Sequence, residues 1–183
     1  QNILNSNKNT VSNILLSFIP ISFILGNLVL NINIGLFIIF SLYAYKDEVL
    51  KFKFHFFDKI LVIFFTYIIL IGLYNFFIDF PKNNEILIKS ILFLRYLLLY
   101  FIIRFCVSNN ILNVKNFLIS SALCTIFLSV DLIIQFTFGT DIFGLKATDY
   151  HVRKFGGPFK DELIAGGYLQ RFSLLTFYVF AFL

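Results

Sequence analysis

The residues best suited to chemistry lie in one polar segment, Gly139–Tyr168, which separates two hydrophobic stretches. Within it, His151, Arg153 and Lys154 form a cationic group just before Gly156-Gly157-Pro158. Glycine permits positive φ and a close approach of the backbone, so consecutive amides beside the cations can face a phosphate or a sugar. The segment therefore predicts a binding site for an anionic or polar ligand.

Two carboxylates follow these glycines and leave two roles open. Asp161 and Glu162 precede the next apolar run, and carboxylates favour the N-terminus of a helix. Glu162 can equally act as a general base that activates a sugar hydroxyl. Glu162 and His151 are therefore the candidate catalytic residues, with Arg153 and Lys154 as candidate substrate contacts.

Three polar side chains lie inside hydrophobic stretches. Asp131 and Gln135 are four residues apart and so share one face of a helix, and Arg95 lies roughly 9 Å beyond Lys89 along another helix. A guanidinium at that depth costs at least ~2.5–3.5 kcal/mol, so Arg95 either extends to the headgroups or faces a cavity. In a cavity its natural ligand is a lipid pyrophosphate, which its planar fork can grip bidentately. Arg95 is also the candidate partner of Asp131, in a pair that is either structural or part of a substrate site.

Membrane helices must position these residues. The chain of 183 residues is 59% hydrophobic and 20% aromatic, and only 14% of it is charged, whereas soluble domains are roughly a quarter charged. The net charge of +5 is spread over the polar connections, as the positive-inside bias and anionic headgroups favour, and forms no stripe for nucleic acid. The composition predicts an all-α polytopic membrane protein.

Six hydrophobic blocks predict about six helices, of which the first two are short. The blocks are about Asn13–Leu30, Asn33–Tyr45, Ile60–Phe80, Ile86–Val107, Asn116–Phe138 and a last one that begins near Gly166. The first two are either separate short helices or a re-entrant hairpin, and a charged linker, Lys46–Lys59, follows them. Gly166-Gly167 predicts tight helix packing near the membrane surface.

The ends of the chain predict that it is part of a larger protein, and its basic residues predict its orientation in the membrane. It does not begin with methionine, and its last block holds about 11 apolar residues where a span needs roughly 20. We therefore expect 1–183 to be a single transmembrane helical domain, the N-terminal part of a larger protein. Lysine and arginine placement predicts a cytoplasmic N-terminus and an outward, periplasmic loop over 139–165.

Cofactor motifs are missing from the sequence. Cys106 and Cys124 lack zinc or redox spacing and are expected to be buried structural thiols. The two histidines, about a hundred residues apart, have no ligand spacing, and CxxC, HExxH, P-loop and GxSxG motifs do not occur. We expect no metal and no cofactor.

Several of these segments together resemble the O-antigen ligase and O-antigen polymerase superfamily of bacterial inner-membrane glycosyltransferases. The family pattern is an arginine followed by Gly-x-Phe, a short polar stretch, and Gly-Tyr-Leu opening a helix. The matching segments are Asp131-Leu-Ile-Ile-Gln135, Gly139-x-Asp141-x-x-Gly144, Arg153-Lys-Phe-Gly-Gly-Pro-Phe159 and Asp161-Glu-Leu-Ile-Ala-Gly-Gly-Tyr-Leu169. Many members have Asn-Pro-Asn where this chain has Lys160-Asp161-Glu162, which leaves ligase and polymerase open.

The resemblance implies a metal-independent, inverting transfer from an undecaprenyl-pyrophosphate-linked glycan to a glycan or lipid A-core acceptor. Arg153 is the position expected to contact the donor phosphate, with Arg95 second. The family also uses residues of a later periplasmic loop, so a chain of this length is expected to be inactive alone. The alternative is a transporter or lipid-linked oligosaccharide flippase, which predicts broken helices and repeat symmetry.

Overall fold

The computed structural model describes residues 2–49, 53–78, 83–146, 155–159 and 164–182, and these residues are almost entirely helical. The α-helices are α1 Asn2–Ser17, α2 Ile19–Leu25, α3 Asn27–Ala44, α4 Lys46–Val49, α5 Phe56–Phe77, α6 Asn83–Ser108, α7 Val114–Phe138 and α8 Ala165–Phe182. A short 3-10 helix, Gly157–Phe159, precedes α8.

Four helices, α3, α5, α6 and α7, are long and apolar enough to cross a membrane. The pair α1 and α2 passes the same test when taken together, although the two helices meet at a bend of 42°. Helices satisfy their own backbone hydrogen bonds, which is what a hydrocarbon environment requires. The prediction of an all-α polytopic membrane protein is confirmed.

The first two hydrophobic blocks divide differently from the prediction. The break lies at Gly26, whose φ of 112° suits a residue without a Cβ, and α3 then runs through the expected boundary at Asn31–Asn33. Asn33 lies within α3 and is buried. Its side-chain amide is satisfied there because it donates to the Leu15 carbonyl and to Ser22 Oγ, both at 3.2 Å. The polar residues that predicted a connection are therefore an internal contact, and that boundary was wrong.

The chain divides into two compact units, Gln1–Leu36 with Leu112–Leu183, and Phe37–Ile111. In the first unit α7 packs against α8, α1 and α2. Its core contains Cys124, Leu128, Ala165, Tyr168 and Phe172. The expectation of one transmembrane domain over 1–183 stays a prediction.

The second unit is built on the pairing of α5 with α6. Gly72 and Ser90 are in close contact, since a Cβ added to Gly72 would lie 2.4 Å from Ser90 Oγ. Small residues of this kind let membrane helices approach each other. Elsewhere along the same helix pair, Phe65 stacks on Phe93 with ring centroids 5.4 Å apart.

A buried carboxylate fastens one end of this helix pair. Asp58, in the first turn of α5, is fully buried and forms an ion pair with Arg104 of α6. It also accepts hydrogen bonds from the His55 backbone amide and, at 3.0 Å, from Tyr100 Oη. Arg104 donates in addition to the Lys53 carbonyl at 3.3 Å. The contacts of Asp58 with Arg104 and Tyr100, and that of Arg104 with Lys53, join the start of α5 to the C-terminal part of α6.

Asp58 was expected in the charged linker, which was predicted to extend to Lys59. Instead, α5 already begins at Phe56. The helix begins earlier because the Asp58 carboxylate accepts the His55 amide hydrogen, as carboxylates near helix starts commonly do. Both cysteines, Cys106 and Cys124, are buried thiols outside any disulfide, as predicted.

We expect Asp58→Ala to destabilise the protein by about 3 kcal/mol, because it leaves the mostly buried Arg104 without its counterion. Glu85→Ala is the matched control, since Glu85 pairs with Lys89 on an exposed surface where such pairs contribute about 0.5 kcal/mol or less. Thermal unfolding can be followed with a thiol-reactive dye that labels the two buried cysteines as they become exposed. Equal melting temperatures for the two variants would contradict the role given to Asp58.

Candidate functional site

The C-terminal half of α7 carries two buried polar side chains that hold the chain beyond the helix. Asp131 and Gln135 are 0% and 1% exposed. Asp131 Oδ1 accepts the Ile142 amide at 2.8 Å. Gln135 Oε1 accepts the Gly157 amide at 3.0 Å, and its Nε2 donates to the Leu145 carbonyl at 3.4 Å. One helix face thus binds two separate stretches of the polar segment.

The first of these stretches, 139–146, is a compact turn organised by Asp141. Gly139 ends α7 in the left-handed region with φ 77°, and its amide donates to the Gln135 carbonyl at 3.0 Å. Asp141 Oδ1 accepts the Leu145 amide at 2.6 Å, while the Asp141 amide donates to the Leu145 carbonyl at 2.9 Å. The turn closes on itself and presents the Ile142 amide to α7.

The second stretch is the 3-10 helix that begins at Gly157. Gly157 has φ 53°, and a Cβ at this position would lie 3.1 Å from Asp131 Oδ2 and 3.2 Å from Leu132 Cδ2. Just before it, Phe155 meets Phe136 of α7 edge-on, with ring centroids 5.6 Å apart. A glycine is required here because the backbone both turns unusually and passes directly over a buried carboxylate.

The two buried carboxylates at this end of α7 are incompletely satisfied. Asp131 Oδ2 and Asp141 Oδ2 are inaccessible to solvent and have no hydrogen-bond partner among the described residues. Burying a carboxylate without a counter-charge costs several kcal/mol. The electrostatic character of the site is therefore one that attracts a proton or a cation.

Tyr168 anchors the start of α8 to the bent pair of helices. It is fully buried, its hydroxyl donates to the Pro20 carbonyl at 3.1 Å, and its ring stacks on Phe172 with centroids 4.4 Å apart. The predicted tight packing at Gly166 and Gly167 is not found among the described residues, none of which has an atom within 4 Å of a Cβ placed at either position. The tyrosine that follows them makes the contact instead.

The candidate cation Arg95 lies near the middle of α6, in the second unit. It donates from Nη2 to Tyr96 Oη at 2.9 Å, and its guanidinium lies 4.8 Å from the centroid of the Tyr96 ring. Asp131 belongs to the first unit and has the partners described above. The expected pairing of Arg95 with Asp131 stays a prediction.

The remaining predicted site residues, His151, Arg153, Lys154 and Glu162, lie outside the described residues. Three of them, His151, Arg153 and Lys154, are nevertheless connected to the site through the chain on either side. The residues 147–154 connect Lys146, which bridges to Thr140, with the aromatic contact at position 155. Both ends of the cationic segment therefore lie at the C-terminal end of α7.

Three contributors were not recognised as site or anchor residues from the sequence. Asp141 and Tyr168 were noted only as parts of a motif, and Asp58 only as a linker charge. For Tyr168 a signal existed, because a tyrosine within an apolar run needs a partner for its hydroxyl when it is buried. Among the described residues no group of three or more metal-ligating side chains of His, Cys, Asp or Glu occurs.

Comparison with known proteins assigns no family. No protein-family model, no curated protein and no solved structure matches this chain. The function is therefore argued from its residues and their geometry.

We expect Gly157→Ala to disrupt the site more than Gly144→Ala. Both glycines have positive φ, 53° and 79°, so each alanine carries a backbone cost of about 1 kcal/mol. Only at Gly157 does the new methyl also meet the Asp131 carboxylate, which adds about 1–3 kcal/mol of overpacking. The control has open space around its Cβ.

Melting temperatures from the thiol-dye measurement separate the two effects. The difference between the variants isolates the contact over Asp131, since the backbone cost is shared. Equal losses in both variants would show that the 3-10 helix does not press on the carboxylate.

Proposed function

We propose that this chain is part of a membrane glycosyltransferase that uses an undecaprenyl-pyrophosphate-linked glycan for ligation or polymerisation of O-antigen or a related surface polysaccharide. One observation carries the proposal: motif segments that are separate in sequence meet at one end of α7. Asp131 binds the turn built by Asp141, and Gln135 binds Gly157. These residues belong to the segments on which the family resemblance rests. Segments that matched the family only by chance would not be expected to lie together in the fold.

The proposed reaction displaces a lipid pyrophosphate by an acceptor hydroxyl. A base, Glu162 or His151, takes the proton of the hydroxyl, whose oxygen attacks the anomeric carbon of the donor sugar. The bond from that carbon to the pyrophosphate oxygen breaks, so the configuration inverts and the lipid pyrophosphate leaves. Arg153, assisted by Lys154, stabilises the charge on the leaving group, which is the role that makes a metal ion unnecessary.

The electrostatics of the α7 end support this arrangement. Cations that grip a pyrophosphate repel one another and need carboxylates nearby when no substrate is bound. Asp131 and Asp141 supply buried negative charge at the point where the segment that carries Arg153 and Lys154 is attached. Asp131 of α7 and Asp141 of the turn thus lie beside the two described stretches that border the segment 147–154.

The chain is a multi-pass membrane protein, and we propose that it resides in the bacterial inner membrane. Its N-terminus lies in the cytoplasm and the 139–165 loop in the periplasm, as the lysine and arginine distribution favours. In this orientation the glycosyl transfer takes place on the periplasmic side.

Single cysteines test the orientation, because both native thiols are buried and react little with a bulky reagent. We expect Lys146→Cys, at an exposed position at the end of the turn 139–146, to be labelled by a membrane-impermeant maleimide in cells with a permeabilised outer membrane. Asn109→Cys, in the exposed connection between α6 and α7, should be labelled only after the inner membrane is opened. The reverse pattern would invert the topology and place the site in the cytoplasm.

A lipid-linked oligosaccharide flippase is the second candidate, and one observation favours it. The bend of 42° between α1 and α2, followed by the break at Gly26, interrupts a membrane segment. Transporters use discontinuous helices of this kind to bind substrate. A flippase moves the lipid-linked glycan across the bilayer without making a glycosidic bond, so the two candidates differ in their products.

We expect Arg153→Ala to abolish transfer, and Arg153→Lys to reduce it strongly because lysine keeps the charge but loses the planar fork. Loss of such a charge-stabilising group lowers the rate by about 10²–10³. Arg171→Ala is the matched control, since Arg171 is an exposed arginine of α8. The complete gene that encodes this chain is expressed in a strain without its own polymerase or ligase, and surface polysaccharide is separated on a gel.

The pattern of products decides among the candidates. A ladder of repeat lengths indicates polymerase, and attachment of preformed glycan to lipid A-core indicates ligase. Normal glycan from Arg153→Ala at equal expression would reject the site assignment. Failure of the lipid-linked precursor to reach the periplasm in the deletion strain, restored by the wild-type gene, would favour the flippase.

A further inference from the structure

A groove runs along α7 in the first unit, beside the bend between α1 and α2. It consists of three adjoining cavities of about 470, 330 and 340 Å³. The first and second share Ile21, Asn116 and Ser120 as lining residues, and the second and third share Ile21, Leu123 and Cys124. The shared residues make the three cavities one continuous surface.

The groove changes from polar to apolar along its length. The polar end is lined by amides and hydroxyls, those of Thr10, Asn13, Ser17, Asn113, Asn116 and Ser120. The opposite end is lined by hydrocarbon, chiefly Ile24, Leu25, Leu123, Phe127 and Phe143. From position 116 to position 127 the helix rises about 16 Å, close to the half of the roughly 30 Å hydrocarbon core that one leaflet provides. An amphiphile of one leaflet fits this layout.

The basic residues nearest to the groove in sequence lie at the polar end. The described residues that line the three cavities include no charged side chain. Lys8 precedes Thr10 by two positions, and Lys115 stands between Asn113 and Asn116. The bond from the Asn113 amide to Asn13 Oδ1 joins these two parts of the chain. Basic residues at such a position attract anionic headgroups.

We propose that this groove binds one anionic phospholipid. One acyl chain lies along Ile21, Leu123 and Phe127, and the ester region meets Ser120. The phosphate lies at the end flanked by the two lysines. The polar end of the groove and the two lysines lie toward the start of α7, whereas the proposed glycosyl transfer belongs to its C-terminal end. Lipid preference and transfer activity are therefore tested by independent measurements.

The chain has no tryptophan, so a single introduced tryptophan reports on one position only. Leu123→Trp places it in the groove, and Ile133→Trp places it elsewhere on α7; these side chains are 64% and 62% exposed. Each variant is reconstituted in phosphatidylcholine vesicles that contain brominated-chain phosphatidylglycerol or, in a second set, brominated-chain phosphatidylcholine. Quenching then gives the relative affinity of each position for the two lipids.

We expect Leu123→Trp to prefer phosphatidylglycerol by at least about fivefold, the effect of one lysine near a headgroup, and Ile133→Trp to show no preference. Replacing both Lys8 and Lys115 by glutamine should remove the preference, whereas Lys89→Gln, at an exposed lysine of the other unit, should leave it unchanged. Phe127→Trp exchanges one aromatic ring for another and serves as a second reporter if Leu123→Trp folds poorly.

Equal quenching at the groove and control positions would overturn the proposal and leave the groove to ordinary bulk lipid. A preference that survives loss of both lysines would also overturn it, since the headgroup would then not lie where the charges predict.

Discussion

The need to satisfy polar groups within a membrane protein controls how this chain folds beyond α7. Backbone amides deprived of water cost several kcal/mol when unpaired. Asp131 and Gln135 accept the amides of Ile142 and Gly157, so the polar segment can fold back onto the end of a membrane-spanning helix. Tyr168 then fastens the start of α8. The face of α7 that carries Asp131 and Gln135 therefore holds the two described stretches 139–146 and 155–159, while α2 holds the start of α8.

The second unit satisfies its polar groups in a different way, at the end of the helix pair where α5 begins. Asp58 binds a backbone amide, a tyrosine hydroxyl and an arginine at the point where α5 begins and α6 ends. In both units, then, an aspartate near a helix end gathers donors from another segment. The difference is that Asp58 pairs with Arg104, whereas Asp131 and Asp141 each keep one oxygen without a hydrogen-bond partner among the residues that the structure describes. Because their charge is not compensated in this way, Asp131 and Asp141 are candidates for binding a proton or a cation, whereas the Asp58 contact is structural.

Sequence reasoning reached the candidate site only in part, for identifiable reasons. The shared face of Asp131 and Gln135 follows from helix geometry, since residues four apart are neighbours. Asp141 was not predicted as an organiser because its role depends on a turn that brings residue 145 back to it. The break at Gly26 was missed because Asn33, which looks like a connection, is buried by contacts with residues 11 and 18 positions away.

The sequence by itself determined that this is an all-α membrane protein and where three of its four long spans, α5, α6 and α7, lie. That result is local, because a run of about 20 apolar residues must form a helix in lipid to satisfy its own backbone. Only the tertiary structure decided which polar residues are partners. The Tyr100–Asp58 and Tyr168–Pro20 hydrogen bonds join residues 42 and 148 positions apart, and no local pattern encodes such a pairing. It arises from helix packing, which places a hydrogen-bond donor beside an acceptor at a position where water cannot bond to either group.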